Sequence, residues 1–552
     1  MPPLGGSLAT DAPLPLAISA DGSTVAFIAH VANGPDRVWV RSLAAGEARE
    51  LPGTEDASFP FFSPDGGSIA FFSGTELRRV PAAGGPVTKI TDCADPRGGA
   101  WGARNQILFA PRGYGGLAVV DADGGTPRYV TSLDSTLGEV THRYPYFLPD
   151  GEHYLFLARR GGAGRGEKPA VYVAKLGQPG RKRVLEVASN VVYASEHLLY
   201  VEQGTLVAQA FDPGRRVVRG AARPISDQVA MDERFSRAPF AASRNGVLVF
   251  MTGRARQMSQ LQWHDRGGRL LGLVGEPGWY AFGGQPRLDA TGRRAAIAML
   301  NPERGLSDVW IVDMQTGNRQ RLSVDNEDHY AYAWGAGGRS VVINTLYGQR
   351  SALFERQLDG TGAQRQLLEA PYYLYPGNVT PDGRWVCVAR GDSSSTYDVV
   401  AVPMQGDGAL VELAVGKPNQ RSCQFSPDGR FVAFASDESG RQEVYVMPFP
   451  PTGAKWQVSS AGGDSPVWRR DGGELFYVSP ENYLTALPVK QAGGVLEFGL
   501  PQTLFQVYGG RSDVQRFDVA PDGQRVLVSA EIASPESFPI TLVTDWVRTL
   551  AK

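Results

Sequence analysis

The chain has 552 residues, of which 42% are hydrophobic, and a formal net charge of −2. With no concentrated positive charge, nothing in the composition attracts nucleic acid or an anionic membrane surface. Apolar runs of about 18 residues are lacking, so no membrane span is expected, and the start MPPLGGSLATDAPLPLAIS lacks the basic-then-apolar pattern of a secretory signal. Whether Met1 is the native start stays open.

Along the chain one phrase returns. A short apolar stretch ends in Pro-Asp-Gly or a relative of it, and an alternating apolar strand follows. Clear copies stand at Asp21-Gly22, Asp65-Gly66, Asp150-Gly151, Asp382-Gly383, Asp428-Gly429, Asp471-Gly472 and Asp522-Gly523. Degenerate copies stand at Arg104-Asn105, Glu196-His197, Asn245-Gly246, Thr291-Gly292 and Gly337-Gly338. The mean spacing is about 46 residues, within the range of propeller blades. Asp and Gly tolerate the left-handed backbone of a tight hairpin, so each marker reads as the turn between the first two strands of a unit. A third strand such as Glu443–Val446 and a more polar fourth complete it. Strands apolar on both sides need neighbours on both faces, and radial stacking of sheets supplies them.

The expected fold is therefore all-β: a tandem β-propeller of about twelve four-stranded blades, arranged as two six-bladed rings. A β-sandwich array, a β-solenoid and a single twelve-bladed ring are the alternatives. The two rings are expected at residues 1–256 and 257–552, with a linker in TGRARQMSQL near residues 252–261. The last unit reads as strands Phe517–Ala520, Arg525–Ser529 and Ile540–Asp545, lacking an outer strand that Leu270–Val274 would supply.

Several longer stretches carry a family resemblance: SDESGRQEVYVMPFP (Ser436–Pro450), KWQVSSAGG (Lys455–Gly463), PVWRRDGGELFYVS (Pro466–Ser479), PRGGAWG (Pro96–Gly102), GEVTHRYPYFLPDG (Gly138–Gly151) and PITLVTDW (Pro539–Trp546). With the repeated marker, they resemble the PD40, or TolB-like, propeller repeat, and within it the propeller region of bacterial serine/threonine protein kinases. The resemblance implies a ligand- or partner-binding sensor, periplasmic or extracytoplasmic, with a tether through a missing N-terminal segment as one arrangement it allows. It carries no kinase activity over, because the chain shows no Gly-rich nucleotide loop, no His-Arg-Asp and no Asp-Phe-Gly.

Catalytic signatures are not found: no GxSxG, no HExxH and no GxxxxGK[ST]. Six histidines (His30, His142, His153, His197, His264 and His329) lack metal-ligand spacing, and no metal or cofactor is expected. Asp121 and Asp123 in DADGG read as a hairpin turn rather than a calcium loop. Asp437, Arg441 and Glu443 read as an interblade ion-pair network. Cys93, Cys387 and Cys423 are an odd number without a CxxC pair, which argues against a disulfide framework and against a zinc site.

The candidate site lies in the loops that lead into the innermost strands, where a propeller's funnel opens. In the second ring these loops are aromatic: GWYAFGGQP (Tyr280, Phe282), EDHYAYAW (His329, Tyr330, Tyr332, Trp334) and APYYLYPGN (Tyr372, Tyr373, Tyr375). Arg421, Asp464 and Arg516 hold comparable places in later blades. Tyrosine combines a large contact area with a polar tip, which recognition surfaces use. The expectation is a non-catalytic binding module with its ligand at this mouth: a protein, a peptide or a glycan. Tyrosines packed between blades are the alternative for each position. The first ring carries a thinner set: Phe59, Trp101, His142, Tyr144 and Tyr146. Two other functions stay open: a funnel enzyme, lyase or hydrolase, using His329, Tyr330 and Arg516 on a saccharide or peptide, and a passive scaffold.

Overall fold

In the computed structural model, the described residues are all except 1–5, 9–13, 32–34, 45, 161–168, 233–234, 253–257, 282–284, 302–305, 324, 326, 348–349, 372, 392–396, 407, 493–494, 508–514, 533–538 and 552. Among them the strands form twelve antiparallel sheets, nine of four strands, two of five and one of three. The chain is a tandem β-propeller. Two compact units divide the sheets six and six: one from Met1–Gly161, Arg165–Gln257 and Ser534–Lys552, the other from Met258–Ala533. Among the described residues no helix is long and apolar enough to cross a membrane.

The turn chemistry works as the sequence pattern requires. All twelve markers sit between the first and second strands of a sheet, with left-handed backbone at Gly22 (φ 68°), Asn105 (58°), Glu196 (61°) and Gly429 (72°) among others. The aspartate closes the turn. Asp65 Oδ1 accepts from Ser63 Oγ at 2.5 Å and from the Gly67 amide at 3.0 Å, while Ser63 Oγ accepts from the Ser68 amide at 2.9 Å. Asp21 with Ser19, Asp382 with Thr380 and Asp428 with Ser426 repeat the hydroxyl bond. Donation by the hydroxyl, then by the backbone amide, holds the Asp21 and Asp65 carboxyls below the usual range. These aspartates hold the turns. Asp121 likewise caps its own turn, accepting from the Asp123 amide at 2.9 Å.

In the first ring the innermost strands are Leu16–Ile18, Ala57–Phe62, Gly99–Trp101, Glu139–Phe147, Val192–Ala194 and Phe240–Ala242. Its sixth blade consists of Phe240–Ala242, Val247–Met251 and Ile540–Thr544, the last paired in register from Val247↔Thr544 to Met251↔Ile540. This corrects the placing of Ile540–Asp545 in the last unit. Val247–Met251 would otherwise present an open edge next to a buried core, and the C-terminal strand covers it. Behind it Trp546 is fully buried with Leu248, Phe250 and Phe240.

The second ring closes on its own strands. Ser259–Asp265 pairs with Arg525–Glu531, and Leu270–Gly278 pairs outside it, so the sheet runs Phe517–Val519, Arg525–Glu531, Ser259–Asp265, Leu270–Gly278. Residues 270–274 thus lie in the expected outer strand, and Ser259–Asp265 takes the third place. Inner strands Arg287–Leu288, Tyr332–Trp334, Leu374–Val379, Gln420–Phe425, Asp464–Trp468 and Phe517–Val519 adjoin one another around the ring. A disulfide links Cys387 and Cys423 on neighbouring blades, both buried, and Cys93 is free. That corrects the reading of the odd cysteine count: one pair forms and one thiol is left over.

Candidate functional site

Five of the inner strands carry a bulge, where two residues face one on the next strand. The register skips between Ser58 and Phe61, Arg143 and Tyr146, Pro376 and Val379, Arg421 and Gln424, and Asp464 and Val467. Phe59 (φ 48°), Tyr144 (51°), Ser422 (56°) and Ser465 (55°) take left-handed backbone there. Such an insertion re-aims the neighbouring side chains, here on the innermost strands.

In the second ring the structure ties most of the predicted site residues into the fold. Tyr332 is buried; its hydroxyl donates to the Gln285 carbonyl and accepts from the Ala298 amide at 3.0 Å. Burial drives its phenol upward. Tyr280 is buried with Arg319 donating to its hydroxyl at 3.4 Å, and burial raises its phenol too. His329 is buried: Nε2 lies 2.5 Å from Asp325 Oδ1, and Nδ1 lies 3.1 Å from Thr345 Oγ1. Trp334 donates to the Arg287 carbonyl at 2.7 Å, and Arg516 pairs with Glu531. Tyr332 and Trp334 thereby tie neighbouring blades together, as buried aromatic groups with a bonded polar tip do, while His329 and Arg516 bond within their own blades.

The structure does gather one part of the set. Tyr330, Tyr373 and Tyr375 form a ring cluster with centroids 5.7 Å (Tyr330–Tyr375) and 6.2 Å (Tyr373–Tyr375) apart, joined by Tyr397 at 5.6 Å from Tyr375. Tyr373 and Tyr375 are half-buried, Tyr330 buried. On the next two inner strands Arg421 Nη2 and Asp464 Oδ2 pair at 2.7 Å. Tyr372 and Phe282 lie outside the described residues.

The first ring holds what sequence reasoning placed second. A cavity of about 240 Å³ runs along its axis and is lined from all six inner strands. Phe61, Trp101, Tyr146 and Phe147 are half-buried walls, with Phe59, Tyr144 and Phe240 buried behind them. Gly98, Gly99 and Gly102 leave the room: a Cβ on Gly99 would stand 2.7 Å from the Phe61 ring, and one on Gly102 would stand 2.9 Å from the Phe147 ring. The tyrosine rings are fixed through their hydroxyls, Tyr144 donating to the Phe235 carbonyl at 2.7 Å and Tyr146 to the Tyr193 carbonyl at 2.9 Å. Exposed Arg244 marks the turn end of the channel. His142 is not part of this wall. It is buried against Phe156, with Nε2 3.1 Å from Glu139 and Nδ1 2.8 Å from Thr131 Oγ1, and burial holds its imidazole below the ordinary value. Arg181 Nη2 lies 2.7 Å from Glu139 Oε1.

The charged cluster at blade four of the second ring is structural. Buried Glu443 accepts from Arg441 at 2.6 Å and from the Gly462 amide at 3.0 Å, and Asp437 accepts from the Asn419 amide at 2.7 Å. Among the described residues no group of three or more His, Cys, Asp or Glu side chains is placed to hold a metal ion.

No family model matches the chain. An uncharacterized protein of Agrobacterium fabrum is 23% identical over 321 residues, covering 57% of this chain and 99% of that protein. Among solved structures, a TolB-type protein of Agrobacterium tumefaciens aligns with a TM-score of 0.39 at 14% identity, over 50% of this chain and 100% of its own. TolB of Acinetobacter baumannii gives 0.33 at 13% (54% and 81%), and the tricorn protease gives 0.30 at 11% (97% and 63%). None of these similarities is high enough to assign a family.

Proposed function

We propose that this protein is a binding module that receives an extended, apolar and aromatic peptide segment of a partner protein along the axis of the first ring. The observation that carries this reading is the axial cavity, lined from all six blades, four of which contribute aromatic side chains. Concave, largely apolar sites with few polar groups are where ligands bind. Hydroxyls bonded to backbone carbonyls hold Tyr144 and Tyr146 in place, so little side-chain freedom is lost on binding. At about 240 Å³ the cavity is smaller than the about 300–1,000 Å³ of small-molecule sites, which suits inserted side chains of a longer segment. The sensor role implied by the repeat resemblance is this same binding step coupled to a further domain.

A second reading puts the ligand on the second ring, at half-buried Tyr373 and Tyr375 beside the Arg421–Asp464 pair. Selection of displayed peptides on the full chain separates the two. The first reading expects peptides rich in aromatic and aliphatic residues that lose about tenfold or more in affinity to Ala100→Trp, which plugs the axis, and bind Tyr375→Ala normally, a tenfold loss being 1.4 kcal/mol. Binding kept in a folded Ala100→Trp and lost in Tyr375→Ala would move the site to the second ring.

A further inference from the structure

On successive blades a side chain stands just before a left-handed residue of the inner strand or its approach, and the two rings fill this position differently. In the second ring Arg421, just before left-handed Ser422, meets Asp464, just before left-handed Ser465, at 2.7 Å. Cation and anion cancel. In the first ring Arg97 precedes Gly98 (φ 92°) and Arg143 precedes Tyr144 (φ 51°), and the Tyr144 amide donates to the Arg97 carbonyl at 3.0 Å. Here two cations adjoin.

Arg97 has its own counter-ion, Asp95, with Nη2 2.8 Å from Oδ2. Arg143 is 2% exposed. Its Nη2 donates to the Gly113 carbonyl at 2.9 Å and its Nε to Thr141 Oγ1 at 3.3 Å, both neutral acceptors. Among the described residues its Nη1 has no hydrogen-bond partner. Burial above all, with the charges of Arg159 and Arg97, pushes its guanidinium down to about 9, and the phenols of Tyr144 and Tyr114 are the opposing neighbours. A buried guanidinium beside two others is costly unless an oxyanion meets it, and the planar fork of arginine fits carboxylate and phosphate oxygens. Gly98 and Tyr144, the residues that follow the two arginines, line the axial cavity, and the arginines themselves stand behind that lining.

We propose that Arg143, with Arg97 beside it, is an oxyanion seat behind the lining of the first ring's axial cavity, taking a carboxylate or a phosphate group. The seat does not depend on the peptide reading, since a small anion would occupy it alone. The test is thermal unfolding of the full chain at constant ionic strength, with sodium chloride replaced stepwise by sodium acetate or sodium phosphate. Wild-type protein is expected to gain melting temperature saturably, and Arg143→Gln to weaken the half-saturating concentration about tenfold or more, as loss of a charged hydrogen bond predicts. If Arg143→Gln fails to fold, Arg143→Lys keeps the charge without the fork and is expected to respond at several-fold higher concentration. Half-saturation at lower acetate than phosphate assigns a carboxylate ligand, and the reverse a phosphate; either supports the seat. An unsaturable wild-type response, or the same response in wild type and variant, overturns it.

Discussion

Closure of the first ring by its C-terminal segment has a measurable consequence at Trp546. The side chain is fully buried among Ala194, Leu206, Phe240, Leu248 and Phe250, with the His197 ring edge-on at 5.7 Å. Its Nε1 has no hydrogen-bond partner among the described residues, so truncation removes packing alone. A buried tryptophan removes about 250 Å² from water, which at about 25 cal/mol per Å² sets an upper value near 6 kcal/mol. Partial collapse of the cavity lowers this, and large-to-small core changes of this kind cost about 3–5 kcal/mol. Trp546→Ala should therefore destabilise the first ring by that amount. Hydrogen exchange read by mass spectrometry is the assay: amides of Val247–Met251, which the strand Ile540–Thr544 covers, should lose protection corresponding to that range. Leu500→Ala, at a side chain 89% exposed, should change stability by no more than about 0.5 kcal/mol and serves as the control. Unchanged protection of Val247–Met251 in Trp546→Ala would refute the account of closure.

Other consequences can be measured independently. Non-reducing thiol titration of unfolded protein should find one thiol, Cys93, and three after reduction; Cys387→Ser should cost about 4 kcal/mol by the chain-entropy estimate for a 36-residue separation, read from urea midpoints. Glu139 is buried, which alone would raise its carboxyl; His142 and then Arg181 outweigh this and hold it at about 2 against an ordinary 4.5. Because the folded value is depressed, the stabilisation is complete above pH 4.5 and is lost as pH falls toward 2; it amounts to about 3 kcal/mol, and Glu139→Gln should flatten that part of the acid-unfolding profile. Gly377→Ala would set a Cβ 1.8 Å from the Cys423 carbonyl oxygen, so the two blades must separate, at a cost of about 1–3 kcal/mol or more in the second ring by denaturant titration.

The repeat was readable because a left-handed turn narrows the choice of residue at every marker, even in degenerate copies such as Asn105 and Glu196. The partner of Ile540–Thr544 was not, because an alternating strand carries no label for the sheet it joins. Cysteine spacing likewise says nothing of distance in space, and Cys387 meets Cys423 only because neighbouring blades adjoin. The tyrosines were found but their directions were not. Tyr332 and Tyr280 became struts while Tyr373 and Tyr375 stayed half-buried, and where a bulge breaks the two-residue alternation, as after Pro376, the pattern no longer assigns side chains to faces. The first-ring cavity did leave a signal: aromatic Phe59, Trp101, Tyr144 and Tyr146 accompanied by Gly98, Gly99 and Gly102, small residues where bulk would fill the axis.

Trp101 lines the axial cavity and so reports on the central claim directly. A peptide selected on the full chain is titrated while tryptophan emission is followed in wild type and in Trp101→Phe. The account predicts a saturable emission change in wild type that disappears in the variant, with binding retained by calorimetry. An equal emission change in both proteins would place the ligand away from the first ring's axis and contradict the account.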